Sequence, residues 1–347
     1  MSTTPSTPAP KTNRINLSVL EYKGGKTTLC AGCGHNAISE RIIDAMFEMG
    51  VKPENVAKLS GIGCSSKSPA YFMSRSHSFN SVHGRMPSVA TGAMLANRNL
   101  MALGVSGDGD TASIGIGQFV HLMRRNLPII YIIEDNGVYG LTKGQFSATA
   151  DKGSKTRRGP VNNDSPIDMV ALALQLGASY VARSFSGDKH QLVPLIKGAI
   201  EHEGAAFIDV VSPCVAFNNN PESTKSYEYV RAHNDAVNQL DFMVEREAIT
   251  ADYAPGTVET VTQHDGSVLR LHKLAPEYDP TDRVSAMTYL AQRHVLGEVV
   301  TGLLFVEPDH GDLHHFLNTV EAPLNGLGEA ELCPGADILA RYNAAHR

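Results

Sequence analysis

Leu100-Met101-Ala102-Leu103-Gly104-Val105-Ser106-Gly107-Asp108-Gly109-Asp110, followed by Pro128-Ile129-Ile130-Tyr131-Ile132-Ile133-Glu134-Asp135-Asn136-Gly137, decides the fold. Each stretch is an apolar run of strand length, and the second is rich in β-branched residues. Each run ends abruptly in glycine beside an acid or amide. Residues 111–125 between them read as a helix, so the two strands are joined by a crossover and run parallel.

Working outward, the alternation continues. Residues 36–49 carry Ile38, Ile42, Ala45, Met46 and Met49 at helical spacing. Residues 56–60 read as a short strand running into Gly61-Ile62-Gly63-Cys64, and residues 87–97 as a small-residue helix. Residues 167–176 and 190–201 are helical, and 180–183 and 206–211 are strands. This succession predicts an α/β fold, a three-layer αβα arrangement with a mostly parallel sheet. Residues 144–160, rich in Gly, Ser, Lys and Arg, are expected to form an active-site loop. Residues 1–15 are expected to be a disordered tail, 16–217 the cofactor domain, and 218–347 an irregular extension packing on the core or a partner. Only short helical pieces such as 284–295 suggest themselves in that last third.

A net charge of −6 gives no case for nucleic acid or an anionic membrane as partner, and no apolar run is long enough to span a bilayer. The N-terminus lacks an apolar signal core, and the five cysteines do not form a disulfide framework. Reduced thiols in a cytoplasm are the expectation.

The chemistry-bearing residues fall at strand ends. Cys64, Asp108, Asn136 and Cys214 each follow a different strand, and an open parallel sheet binds ligands outside its carboxyl edge. Asp108 between two glycines, Asn136 and the Val138 carbonyl could join phosphate oxygens and water around magnesium. The plain alternative is a pair of ordinary Asp-Gly and Asn-Gly turns. Cys30 and Cys33 form a C-x-x-C pair in Cys30-Ala31-Gly32-Cys33-Gly34-His35, joined by Cys64 and Cys214. Four such thiolates suit an iron–sulfur cluster or a structural zinc. Zinc sites usually use paired knuckles in a compact segment and clusters tolerate dispersed ligation, but the residues alone leave the two readings level. Cys333 is the spare, although it could exchange roles with Cys214.

Gly107-Asp108-Gly109-Asp110 with Asn136-Gly137-Val138-Tyr139-Gly140-Leu141-Thr142-Lys143-Gly144-Gln145 resembles the cofactor motif of 2-oxoacid:ferredoxin oxidoreductase beta subunits. The order Cys30-x-x-Cys33, Cys64-Ser65-Ser66-Lys67, His83-Gly84-Arg85 and Cys214 follows the same family over residues 17–220. The resemblance implies a thiamine-diphosphate-binding fold and a [4Fe-4S] cluster on Cys30, Cys33, Cys64 and Cys214. It implies magnesium on Asp108, Asn136 and Val138, and thiamine diphosphate against Ile62, Gly63, Cys64, Ser65, His83, Gly109, Asp110, Gly140 and Leu141. It further implies oxidative decarboxylation of a 2-oxoacid, with coenzyme A taking the acyl group and ferredoxin the electrons, or the reverse carboxylation. The motif running from Gly140 to Ser147 is closer to 2-oxoglutarate-type or broad-specificity enzymes than to dedicated pyruvate ones.

This chain shows one cofactor-binding unit and no second one to carry the glutamate that activates the thiazolium. That acid is expected on an alpha subunit, in a heterodimer or a dimer of heterodimers. Lys67 is a possible contact for a substrate carboxylate or coenzyme A; its plain alternative is a solvated surface lysine. Lys143, Gln145, Lys152, Lys155, Arg157 and Arg158 make a basic loop that solvation alone would explain. Two competing functions are a non-redox thiamine enzyme, which leaves four cysteines idle, and a zinc-stabilised interaction subunit.

Overall fold

The computed structural model describes residues 12–141, 145–154, 161–215, 247–264, 267–308, 310–333 and 335–346. Lys143, Lys155, Arg157 and Arg158, residues 1–11 of the expected tail and the first part of the extension lie outside the described residues.

Six parallel strands form the body: β1 (Val56–Ser60), β2 (His77–Asn80), β3 (Met101–Gly107), β4 (Ile129–Asp135), β7 (Tyr180–Phe185) and β8 (Ala205–Val211). A short hairpin, β5 (Val138–Tyr139) with β6 (Gln145–Phe146), stands apart from them. β9 (Val258–Thr262), β10 (Val268–Lys273) and β11 (Val299–Val306) come from the C-terminal third. The sheet order is β2-β1-β3-β4-β8-β7-β11-β10-β9, with β11 antiparallel to β7. Residues expected to form an irregular extension therefore continue the sheet.

Helices cover both faces. α1 (Gly34–Met49) and α5 (Lys189–Glu201) lie on one side. α2 (Met86–Ala96), α3 (Ile116–Arg124), α4 (Met169–Gln175) and α6 (Arg283–Val295) lie on the other. β4 shows why two cores arise. Successive side chains of a strand point to opposite faces, so Ile130 and Ile132 join Ile42 and Ile196 in one core. Tyr131 and Ile133 join Phe119 and Phe207 in the other. There Phe119, Tyr131 and Phe207 meet edge-to-face with centroids 5.1–6.1 Å apart. The last elements, α7 (Leu313–Leu317), α8 (Glu329–Leu332) and α9 (Ala336–Ala345), run along the surface. No described helix is long and apolar enough to cross a membrane.

Register aligns the strand exits. Ser60 pairs with Val105, Gly107 with Glu134, and Asp135 with Val211. The segments after β1, β3, β4 and β8 thus leave the sheet at one level of one edge. One difference from expectation sits there. Residues 109–114 form a π-helical turn, and α3 begins only at Ile116. Gly115 donates its N–H to the Asp110 carbonyl five residues back, at 2.8 Å.

Candidate active site

A cleft opens over these exits. Ile62, Gly63, Cys64 and Ser65 line it from β1, Gly107 to Asp110 from β3, and Asn136 and Val138 to Leu141 from β4. His83, His35 and Glu134 complete the wall. Every residue expected at the thiamine diphosphate or magnesium therefore borders one space. Cys30, Cys33, Cys214 and Lys67 are not among its lining residues.

Each exit is fixed locally. After β1, Ser66 Oγ donates to the Gly63 carbonyl at 2.7 Å. The buried Lys58 donates to the carbonyls of Pro69 (2.6 Å) and Phe72 (2.7 Å), holding the turn that follows Cys64. Burial pushes the Lys58 ammonium down to about 8. After β4, Gly137 takes a left-handed conformation (φ 72°), turning the chain so that the Asn136 side-chain oxygen accepts from Val138 N–H at 3.1 Å. After β8, Pro213 O accepts from Gly34 N–H, and Ser212 Oγ meets His35 Nδ1 at 2.6 Å. That stitches the Cys33 segment onto the strand end carrying Cys214.

Asp108 is buried, and its Oδ2 accepts from Ser147 Oγ and, at 2.7 Å, from Thr149 Oγ1. The same Thr149 hydroxyl is 2.8 Å from Asp135 Oδ1. Its single proton can serve only one of the two carboxylates. Burial pushes the Asp108 carboxyl up; burial first, then the charges of Asp108 and Asp209, push Asp135 well up. Two crowded carboxylates with raised proton affinity are a fitting place for a hard divalent cation. Beside them Ser65 Oγ is buried with no hydrogen-bond partner. A methyl at Gly107 would stand 3.1 Å from that hydroxyl, and one at Gly109 would meet the Tyr139 ring at 2.6 Å. An orphaned donor beside glycines that leave the backbone open suits a phosphate group.

The thiols gather at the neighbouring wall. A methyl built on Gly140 would lie 3.4 Å from Cys64 Sγ and 3.8 Å from Cys214 Sγ. Burial, then the nearby Cys214 group, pushes the Cys33 thiol well up, with Cys30 also contributing. Burial, then Cys30, pushes up Cys64, while Lys67 pulls it down. Cys33 thus lies near Cys30 and Cys214, and Cys64 near Cys30 and, across Gly140, near Cys214. Cys214, not Cys333, is the late member of the group, and Cys333 is exposed. Among the described residues no three His, Cys, Asp or Glu side chains close on a single ion. A cubane offers a separate iron to each thiolate, so its ligands need not converge on one point.

Sequence reasoning missed several members. Glu134 is completely buried, its carboxyl pushed well up by burial, with Ser68 Oγ donating to both oxygens at 3.0 Å. His35, 3.8 Å from Glu134, is held down at about 4 by burial. An acid inside the end of an apolar strand, before Asp135 closes it, was the signal for Glu134. Ser147 and Thr149 had none, because they belong to a segment read only as a loop.

Residues 61–210 match the thiamine pyrophosphate enzyme C-terminal TPP-binding domain. The chain is 30% identical, with a TM-score of 0.71, to a 2-oxoglutarate:ferredoxin oxidoreductase from Magnetococcus marinus solved with 2-oxoglutarate, coenzyme A and succinyl-CoA bound; the match covers 95% of this chain and 96% of that one. It is 35% identical to the 2-oxoglutarate synthase subunit KorB of Methanocaldococcus jannaschii over 63% of this chain and 82% of the relative. It is 39% identical to the 2-oxoglutarate oxidoreductase subunit KorB of Mycobacterium tuberculosis over 55% of this chain, an alignment spanning about half (51%) of that relative. Motif order, a common cleft and these likenesses agree: the chain belongs to the family of 2-oxoacid:ferredoxin oxidoreductase beta subunits.

Proposed function

We propose that this chain is the beta subunit of a coenzyme A-acylating 2-oxoglutarate:ferredoxin oxidoreductase. The reaction would join 2-oxoglutarate, coenzyme A and oxidised ferredoxin to give succinyl-CoA, carbon dioxide and reduced ferredoxin, in a cytoplasm and in either direction. The observation that carries the reading is Gly140, with two cysteine sulfurs against it and the Asp108 cleft in front of it. Asp108, Asn136 and the Val138 carbonyl would hold magnesium. Ile62 to Ser65, His83, Gly109, Asp110, Gly140 and Leu141 would line thiamine diphosphate, with the Ser65 hydroxyl free to donate to it. Cys30, Cys33, Cys64 and Cys214 would hold a [4Fe-4S] cluster.

Bound thiamine diphosphate supplies a carbon nucleophile for the oxoacid carbonyl, and a cluster takes electrons one at a time. This chain's residues orient and insulate. Cys64 borders the cleft while its sulfur faces Gly140, so the step from cofactor to thiol set is short. Lys67 would meet the carboxylate of the oxoacid or a phosphate of coenzyme A. The glutamate that activates the cofactor would come from an alpha subunit, and ferredoxin would dock as the acceptor.

The test is anaerobic co-purification with the alpha partner, followed by iron and acid-labile sulfide analysis and 2-oxoglutarate-dependent ferredoxin reduction. Asp108→Ala is expected to lose thiamine diphosphate but keep iron; Cys64→Ser is expected to lose iron but keep thiamine diphosphate. Stoichiometric zinc without iron sinks the redox reading, and full turnover by this chain alone sinks the alpha-subunit requirement.

A further inference from the structure

Asp110 borders the cleft, yet both oxygens of its carboxylate are engaged by the protein. Oδ1 accepts from the Gly84 N–H at 2.8 Å, and Oδ2 accepts from Ser106 Oγ at 2.9 Å. The residue is only 4% exposed. Oδ2 lies against Gly61, where an added methyl would overlap it. The Asp110 carbonyl closes the π-helical turn through Gly115, and Gly84 (φ 67°) packs directly on Gly115; a methyl on Gly84 would stand 2.7 Å from the Gly115 backbone. One side chain therefore meets the exit of β1, the exit of β3 and the loop carrying His83. That loop has no regular secondary structure to hold it, and His83 is exposed at the cleft wall.

We propose that the Asp110 side chain is a positioning group: its carboxylate fastens the Gly84 amide, which holds His83 against the thiamine diphosphate, and the carboxylate itself makes no contact with the cofactor, which Asp110 lines through its main chain. The proposal rests on the functional reading above and refines it. A carboxylate aimed at a diphosphate would repel it, whereas one whose oxygens are both tied to the protein would not compete with it for donors. Glycine at 61, 84 and 115 is then required by the tie, since each gives up side-chain volume to the same carboxylate or to the turn it closes.

The experiment uses the complex with the alpha subunit and two measurements. Hydrogen exchange of the peptide spanning residues 79–88 reports the tie with no cofactor added. Asp110→Ala and Gly61→Ala are both expected to speed exchange there by about 10- to 100-fold, the loss of one hydrogen bond to a charged group. Asp110→Asn, which can still accept from Gly84 and donate to Ser106 Oγ, is expected to restore protection. Thiamine diphosphate affinity reports the route through His83. Asp110→Ala should weaken it about 10-fold in the native background and less than about 2-fold in a His83→Ala background.

Unchanged exchange in Asp110→Ala overturns the tie. Additive effects of Asp110→Ala and His83→Ala, or an Asp110→Asn variant that is protected yet binds cofactor as poorly as Asp110→Ala, make the Asp110 carboxylate a direct ligand and overturn the proposal. A native complex that binds no thiamine diphosphate defeats the functional reading instead, and with it the role given to His83.

Discussion

The carboxylates at the parallel-strand exits and those of the C-terminal strands are treated in opposite ways. Glu298, just before β11, is approached by Arg270 at 3.2 Å, His272 at 2.9 Å and Arg293 at 3.3 Å. Tyr289 Oη closes the group on the other nitrogen of His272 at 2.9 Å. At the cleft, Asp108 and Asp135 share one hydroxyl, and among the described residues neither has a lysine or arginine ion pair. Glu134 has the Ser68 hydroxyl and His35 near it, the latter an imidazole that burial keeps neutral. Glu298 is thus matched by cations of its own chain. Asp108 and Asp135, crowded and without such a match, are what the proposed magnesium site would call for.

The largest expected effect tests the sheet beneath this contrast. Phe207→Ala removes a fully buried ring from the aromatic trio and should cost about 3–5 kcal/mol in denaturant unfolding. Val268→Ala, on half-exposed β10, should stay within about 0.5 kcal/mol. Comparable losses would mean that the two parts of the sheet fold as one evenly packed body.

Next comes the matched set itself. Glu298→Ala strands His272 and two arginines and should destabilise by about 1–3 kcal/mol, while thiamine diphosphate affinity is unchanged. A loss of cofactor binding in that variant would join the two regions functionally.

The smallest effect has the opposite sign. Asp135→Asn should stabilise the chain at neutral pH in the absence of metal. Because the folded carboxyl has a raised proton affinity, the folded chain keeps a proton that the unfolded chain has released, once pH exceeds the ordinary value of 3.8. The native chain's contribution from this group is thus complete at low pH and is lost as pH rises. The advantage of Asp135→Asn should grow from pH 4 upward in the same measurement, and saturating magnesium should reverse it. A variant equally stable to the native chain at every pH would break the comparison.

How far the sequence could be read depended on burial. β1 and β8 were legible as short apolar runs interrupted only by Lys58 and Asp209 before their polar ends, and β3 and β4 because strands covered on both faces are near-continuous apolar runs. Their exits were legible because Gly-Asp-Gly and Asp-Asn-Gly cannot continue a strand. β2 was missed: its four residues are all exposed and include one large apolar side chain, Phe79. β9 and β10 were missed for the same reason, each burying few positions. Val299–Val306 is apolar enough to be read as a strand, but its place beside β7 is set by pairing with a partner more than a hundred residues earlier. The motifs marked the cleft well. The hydroxyls of Ser147 and Thr149 stayed hidden because only folding brings them to Asp108.

The wide turn between Asp110 and Gly115 carries one residue more than an α-helical turn would. Each residue of an α-helix advances the phase by about 100°. Deleting any residue among 111–114 would let regular winding run back from α3, and Asp110 would swing round by roughly that angle. The floor of the cleft is thereby tuned in length as well as in side chains, so insertions and deletions here should be far less tolerated than substitutions.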